Sequence, residues 1–192
     1  MSGDHPDLPI AVRVRRLEER LIEAGLVTDA EMEAVLARVF AAASPANGAR
    51  MVARAWRDAA YRERLLADGN AATAELGFDV GHYRLNVIEN TPGVHNVIAC
   101  TLCSCYPTAL LGPSPTWYKS FAYRSRVVRE PRAVLAEFGL ELPDETEIQV
   151  WDSNSEIRCM VLPMRPEGTD DATEDELAAL VTREGMIGTA LL

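Results

Sequence analysis

Apolar residues recur at helical spacing through the first third of the chain. In residues 10–25, Val14, Leu17 and Leu21 fall on one helix face, and the pattern ends at Gly25. Further helices are predicted from Thr28, which forms a capping box with Glu31, to about residue 40, and over residues 49–68 and 70–76. We interpret residues 1–75 as a helical N-terminal arm. Its length is large for its apolar content, which favours packing on another subunit.

The pattern changes after this arm. Residues 82–91 and 94–100 are rich in β-branched side chains and flank a turn signal, Thr91-Pro92-Gly93. The remaining predicted elements are a helical stretch over 118–138 with a break near Pro131, short strands over 148–152 and 158–162, a helix from the capping box Thr173/Glu176 to about Arg183, and a final strand over 186–192. The chain is therefore predicted to have an α+β fold, in which residues 76–192 form a layered α/β C-terminal domain.

Composition narrows the possible partners. The 192 residues are 48% hydrophobic and 25% charged, which is typical of a soluble globular protein. The net charge of −10 argues against nonspecific binding to nucleic acid or to an anionic membrane. No apolar run approaches the ~20 residues of a membrane helix, and the first ten residues lack the apolar core of a signal peptide. We expect a cytoplasmic protein with neither nucleic acid nor membrane as a partner.

Three of the four cysteines lie within six residues. Cys100, Cys103 and Cys105 form the pattern C-x-x-C-x-C, whereas Cys159 is distant in sequence. A secreted disulfide framework would spread its cysteines along the chain. A tight triplet in a protein expected to be cytoplasmic instead indicates metal or redox chemistry.

The spacing of the triplet suits a metal ion with one open position. The thiolates of Cys103 and Cys105, with the main-chain nitrogens of Ser104 and Cys105, can form an N₂S₂ plane, and Cys100 can supply an axial thiolate. The two amides must lose their protons, which only a strongly polarising ion enforces. An open position is what a Lewis-acid catalytic metal needs. Thiolates and amide nitrogens favour a trivalent, low-spin transition ion over Mg²⁺ or Ca²⁺.

Three other interpretations compete on spacing alone. A structural zinc ion needs four Cys or His ligands, and His95 or Cys159 would have to complete the set. A disulfide between Cys100 and Cys103 would make a redox switch. An inert cluster of buried thiols is the third interpretation. The spacing favours the transition-metal site.

Several stretches resemble a known family. These are VIACTLCSCYP (97–107), LGPSPTWYKSFAYRSRVVREPR (111–132), ARAWRDAAYRERLLADG (53–69), VIENTPGVHN (87–96), MVLPMRPEGT (160–169) and LVTREGMIG (180–188). They resemble the α subunit of nitrile hydratase and the homologous γ subunit of thiocyanate hydrolase. The likeness extends over most of the chain, and its cysteine core is highly specific.

The resemblance implies a role for each residue of the triplet. Cys100 would be the axial ligand, and Cys103 and Cys105 would be equatorial with the nitrogens of Ser104 and Cys105. In the family the second and third cysteines become oxidised, here Cys103 to sulfinic and Cys105 to sulfenic acid. Two arginines of a β-type subunit, which can be split into two chains, pair with the oxidised sulfurs. This chain alone would hold half of the active site.

The resemblance also implies a metal and a reaction. Thr101 follows the first cysteine, as in the cobalt type of the family, so Co(III) is expected rather than iron, delivered by a cobalt-loading activator protein. The expected reaction hydrates a small-molecule nitrile to its amide, with either the Cys105 sulfenate oxygen or an activated water as nucleophile. Thr108 stands where many cobalt enzymes have Trp, which predicts a reshaped pocket suited to a bulky or nucleoside nitrile.

Two alternatives to a nitrile hydratase stay open. The stretches GPSP (112–115) and AEFGLELP (136–143) are closer to the γ subunit of thiocyanate hydrolase. A zinc-bound interaction module that uses the helical arm is the weaker alternative. Outside the triplet, we expect the basic run Lys119 to Arg132 to lie at an interface, His95 to be a hydrogen-bonded strand residue, and Cys159 to be a small buried side chain.

Overall fold

The computed structural model describes residues 8–192, apart from the side chains of residues 39–41. The chain divides into two compact units, Met1–Ala41 and Ala42–Leu192. Among the described residues, none of the helices is long and apolar enough to cross a membrane.

The first unit contains two predicted helices. They are α1 (Ile10–Glu23) and α2 (Asp29–Ala42). The predicted capping box is confirmed, because the Glu31 amide donates to Thr28 Oγ1 at 3.2 Å and the Thr28 amide donates to the Glu31 carboxylate at 2.8 Å. None of the residues of α1 is buried.

Three helices open the second unit. They are α3 (Pro45–Arg57), α4 (Ala59–Ala67) and α5 (Gly69–Glu75). The single helix predicted over 49–68 is wrong, because Asp58 has an extended backbone and accepts a hydrogen bond from the Tyr61 amide at 3.0 Å, which starts a new helix. All three helices belong to the same compact unit as the strands. The division into an arm over residues 1–75 and a domain over residues 76–192 stays a prediction.

Four strands form two parallel pairs. The strands are β1 (Arg84–Glu89), β2 (Val94–Ala99), β3 (Glu147–Asp152) and β4 (Ile157–Leu162). β1 pairs with β4, and β2 pairs with β3. The predicted turn between β1 and β2 is present as a bridge between Thr91 and Val94, but the two strands do not pair with each other. The pairing sets Asp152 opposite Ala99, the last residue of β2, which leads directly into the cysteine triplet.

Short helices fill the connections. They are α6 (Thr108–Leu111), a 3₁₀ turn (Trp117–Lys119), α7 (Phe121–Arg126), α8 (Pro131–Glu137), α9 (Glu174–Leu180) and α10 (Arg183–Ile187). The break predicted near Pro131 is confirmed, since this residue starts α8. The capping box of Thr173 and Glu176 is also confirmed, although its helix ends at Leu180.

The final strand predicted over 186–192 is wrong. Thr182 caps α10 by accepting a hydrogen bond from the Gly185 amide at 3.0 Å, and Gly188 ends the helix at φ 90°. A short apolar run fits a buried strand and a buried helix equally well, so the pattern alone could not separate them. The helix end lies against β2, because a Cβ on Gly188 would come 2.0 Å from the Asn96 carbonyl oxygen.

His95 is held in this same contact. Its Nε2 lies 2.8 Å from the Gly188 carbonyl oxygen, and its Nδ1 lies 3.3 Å from Asn90 Nδ2. The side chain is buried, and desolvation lowers its pKa. Both nitrogens are therefore occupied, as expected for a hydrogen-bonded strand histidine. Helices and two small parallel strand pairs share one hydrophobic core, and the α+β fold prediction is confirmed.

Candidate metal centre

The three clustered cysteines come together in the loop that follows β2. Cys100 and Cys105 are buried and Cys103 is exposed, and none of them forms a disulfide. Their sulfur atoms all lie within 4.8 Å of one another. The Cys103 sulfur is 3.5 Å from that of Cys100 and 3.2 Å from that of Cys105. The loop thus converges three thiols on one point, as the spacing predicts.

The shorter sulfur distance favours one coordination geometry. Two ligands about 2.3 Å from one ion lie about 3.3 Å apart at a right angle and about 3.8 Å apart at the tetrahedral angle. The 3.2 Å between Cys103 and Cys105 fits the right angle of a square plane or octahedron. This donor set fits the transition-metal interpretation better than a tetrahedral zinc site.

Strand β3 fixes the start of the loop. The Ser153 amide donates to the Ala99 carbonyl at 2.8 Å, immediately before Cys100. The Asp152 carboxylate then accepts from the Thr101 amide at 2.8 Å and from the Thr101 hydroxyl at 2.5 Å. The Cys103 amide points back to the Cys100 sulfur at 3.3 Å.

A second segment, Trp117–Arg126, holds the loop from the other side. The Tyr123 hydroxyl donates to the Ile98 carbonyl at 2.7 Å, and the Tyr118 hydroxyl donates to the Cys105 carbonyl at 3.0 Å. Arg124 Nη1 lies 3.4 Å from the Thr101 carbonyl oxygen. Both tyrosines are buried. One residue of the predicted basic run, Arg124, therefore contacts the cysteine loop of its own chain.

Comparison with known proteins identifies the family. The family model described as nitrile hydratase, alpha chain, matches residues 8–190. The chain belongs to this family. It is 50% identical over 191 residues to the cobalt-containing nitrile hydratase subunit alpha of Pseudonocardia thermophila, covering 97% of this chain and 93% of that protein. The predicted resemblance is confirmed.

Two further relatives show the range of the family. The thiocyanate hydrolase subunit gamma of Thiobacillus thioparus is 43% identical over 201 residues, covering 98% of this chain and 80% of that protein. A double mutant of the Fe-type nitrile hydratase from Comamonas testosteroni Ni1 superposes with a TM-score of 0.89 at 43% identity, covering 96% of this chain and 92% of that chain. The fold is thus shared by relatives named for cobalt and for iron.

The thiols of this nitrile hydratase family member differ in acidity. Hydrogen bonds from the Cys105 and Cys100 thiols, and then from the Ser104 amide, lower the pKa of Cys103 to about 7. Burial, followed by the thiols of Cys103 and Cys100, raises the pKa of Cys105 to about 12. Of these two thiols, Cys103 therefore loses its proton first. A thiolate is the form of cysteine that binds a metal and that is oxidised.

The residues that would complete a zinc site lie elsewhere. Over residues 8–192, the group of His, Cys, Asp and Glu side chains that meet closely enough for one ion consists of Cys100, Cys103 and Cys105. Cys159 is buried in β4, where its amide donates to Ser153 Oγ at 3.0 Å, and both nitrogens of His95 are occupied. The structure brings neither residue to the triplet as a fourth ligand.

Sequence reasoning missed Asp152 and underestimated the two tyrosines. The sequence places Asp152 only at the end of the strand predicted over 148–152, and it assigns Tyr118 and Tyr123 no role at the triplet. A parallel pairing of β2 with β3 was the missing information, because it alone sets Asp152 beside the loop. The local sequence carries no signal for that pairing.

Proposed function

We propose that this chain is the metal-bearing alpha subunit of a nitrile hydratase. Cys100, Cys103 and Cys105 would hold one low-spin Co(III) ion through their sulfurs, together with the main-chain nitrogens of Ser104 and Cys105. The observation that carries the proposal is the convergence of three sulfurs within 4.8 Å, in a chain that matches the nitrile hydratase alpha-chain model over residues 8–190.

The choice of cobalt rests on two supports. Thr101 follows the first cysteine, and the relative from Pseudonocardia thermophila is cobalt-containing. The Fe-type structural neighbour makes iron the second candidate. When bound, the ion supplies Lewis acidity that polarises a nitrile.

The remaining chemistry belongs to residues of this chain. The exposed Cys103, whose pKa is lowered to about 7, is suited to oxidation by dioxygen as far as sulfinic acid. The buried Cys105 holds its proton in the metal-free chain, so dioxygen would oxidise it to sulfenic acid only after it has lost that proton on binding the ion. We place the sulfenate oxygen of Cys105 against the nitrile carbon, where it acts as nucleophile or draws a proton from an attacking water. Addition of one water places oxygen on carbon and two hydrogens on nitrogen, which gives the amide.

The exposed outer face of the cysteine loop supports the proposal that this chain works with a partner subunit. Leu102 is 82% exposed beside the exposed Cys103, so this chain does not cover its own site. A β-type subunit, whole or split into two chains, would cover the loop and supply cations to the oxidised sulfurs. The helix α1, none of whose residues is buried, offers a partner a further contact. We further propose a cytoplasmic location and loading by a cobalt activator protein.

We propose that the metal centre accepts a bulky nitrile. Thr108 follows Pro107 and begins α6, where it is half-buried. Its side chain is much smaller than the Trp of many cobalt members of the family. A bulky or nucleoside nitrile would use the released space.

The test is an assay of the assembled complex. The chain is co-expressed with a β-type partner, and the metal per chain, the mass of the peptide with Cys103 and Cys105, and the turnover of a small nitrile, a nucleoside nitrile and thiocyanate are measured. The proposal predicts about one cobalt per chain, added oxygen on both cysteines, and amide formation that Cys105→Ala abolishes while assembly persists.

Three results would contradict the proposal. Carbonyl sulfide from thiocyanate, without amide from either nitrile, would assign the chain to the γ subunits of thiocyanate hydrolase. Tetrahedral zinc with three unoxidised sulfurs would favour the interaction module. Activity that survives Cys105→Ala would remove Cys105 from catalysis.

A further inference from the structure

Cys105 lies in a stretch of the loop that has no regular secondary structure. Residues 104–107 belong to neither a helix nor a strand, so no regular ladder of hydrogen bonds holds Cys105. Cys100, in contrast, directly follows β2, and the next residue is clamped by Asp152. In the proposed metal site Cys105 contributes two donors, its sulfur and its main-chain nitrogen. A rotation of this one residue would displace both donors.

Tyr118 touches this part of the loop at two points. Its hydroxyl donates to the Cys105 carbonyl at 3.0 Å, and its ring meets the ring of Tyr106 edge-on at 5.0 Å between centroids. The side chain is fully buried, so water does not compete for the hydrogen bond.

The ring of Tyr118 is itself fixed by neighbours. Trp117 and Tyr123 lie 6.0 and 5.8 Å from it between ring centroids, and Tyr123 is anchored by its own bond to the Ile98 carbonyl at 2.7 Å. The segment Trp117–Arg126 therefore connects the end of β2 with the last residue of the cysteine triplet. Because the Tyr118 side chain is itself held in place by packing, its hydrogen bond fixes the position of the Cys105 carbonyl.

We propose that Tyr118 is a positioning residue for the metal centre, which fixes the main chain of Cys105 in the metal-binding arrangement before any ion binds. The inference rests on the proposed function, in that the triplet is taken to bind cobalt. It extends that function by assigning a task to a residue outside the cysteine loop. Removal of a group that hydrogen-bonds to a metal ligand typically weakens metal binding by about 10- to 100-fold.

The matched control is Tyr61, another buried tyrosine. Its hydroxyl donates to the Ala72 carbonyl at 3.2 Å, away from the loop, and 1% of the residue is exposed. Tyr118→Phe and Tyr61→Phe each remove one hydroxyl from a buried ring and leave the ring in place. Both variants lose one hydrogen bond to a main-chain carbonyl, so a comparison between them separates positioning of the loop from general stability.

The experiment titrates Co²⁺ into the metal-free, reduced full-length chain without oxygen. Sulfur-to-cobalt charge-transfer absorption and competition with a chelator give the affinity, and thermal unfolding of the metal-free variants gives their stability. We expect Tyr118→Phe to weaken Co²⁺ binding about tenfold and to alter the absorption band. Tyr61→Phe should stay within twofold of wild type, despite a similar fall in Tm.

The outcomes distinguish this inference from the proposed function. Equal affinity and identical spectra for wild type and Tyr118→Phe would overturn the inference alone, because the wild-type chain would still bind cobalt. A loss as large in Tyr61→Phe would also overturn it, since stability would then explain the effect. No cobalt uptake by the wild-type chain, even when it is supplied with a cobalt activator protein, would overturn both the inference and the proposed metal.

Discussion

The carboxylate of Asp152 accepts two hydrogen bonds from Thr101, one from its amide at 2.8 Å and one from its hydroxyl at 2.5 Å. Asp152 ends β3 and Thr101 follows the first cysteine, so this pair ties the metal loop to the sheet. Hydrogen bonds to an ionised acceptor are stronger than those between neutral groups. This pair of hydrogen bonds therefore holds the start of the cysteine loop against the end of β3.

We expect Thr101→Val and Asp152→Ala each to lower the free energy of unfolding of the metal-free chain by about 1 kcal/mol. Valine keeps the shape of threonine and removes the hydroxyl donor. The double variant should lose less than the sum of the two single losses, with a coupling of about 0.5–1 kcal/mol, measured by urea denaturation. Additive losses would show that the two side chains do not interact. Thr101→Ser, which keeps the hydroxyl, is the control.

Alkylation of the metal-free chain should depend on pH differently at two cysteines. The thiolate is the reacting form, and the pKa of Cys103 is about 7 while that of Cys105 is about 12. The rate at Cys103 should therefore rise through pH 7 and level off by about pH 8, whereas Cys105 should stay slow to pH 9 and above. Iodoacetamide labelling with peptide mass spectrometry measures both rates. Faster labelling of Cys105 than of Cys103 at pH 7 would contradict the assignment.

Gly188→Ala should destabilise the chain by about 3 kcal/mol or more, since it combines a left-handed backbone with a clash. At φ 90° a Cβ would come 2.0 Å from the Asn96 carbonyl oxygen and 2.8 Å from Val97 Cα. Gly139→Ala is the matched control, because its φ of 81° imposes similar strain but nothing lies within 4 Å of the new Cβ. We expect about 1 kcal/mol for Gly139→Ala. Equal losses in denaturant titrations would show that α10 does not pack closely on β2.

Stability should fall as the pH falls below about 6.5 because of His95. Burial lowers the pKa of His95 below the usual value of about 6.5, so the unfolded chain binds a proton that the folded chain resists. The contribution of His95 to the free energy of unfolding is complete above about pH 6.5 and is lost as the pH falls further. His95→Gln should flatten this part of the profile of unfolding free energy against pH, measured from pH 7.5 to 5.5. The exposed His82, changed to Gln, should leave the slope as it is.

The local signals of the chain were sufficient for most elements. Capping boxes at Thr28 and Thr173, the glycine at residue 25 and the proline at residue 131 each act within one helical turn, and the structure confirms all of them. The failures occurred where two local patterns compete. Asp58 both ends one helix and starts another, and the apolar run near Met186 folds as a helix because Thr182 caps it.

The cysteine triplet was determined by the sequence alone, because its three sulfurs are at most five residues apart and no distant contact is needed to bring them together. The family followed from the same loop and its flanks. Only the tertiary structure decided what surrounds the loop: Asp152 and Tyr118 reach it from residues 51 and 13 positions away. Such contacts depend on strand pairing and on packing between distant segments, and the local sequence does not encode these by spacing.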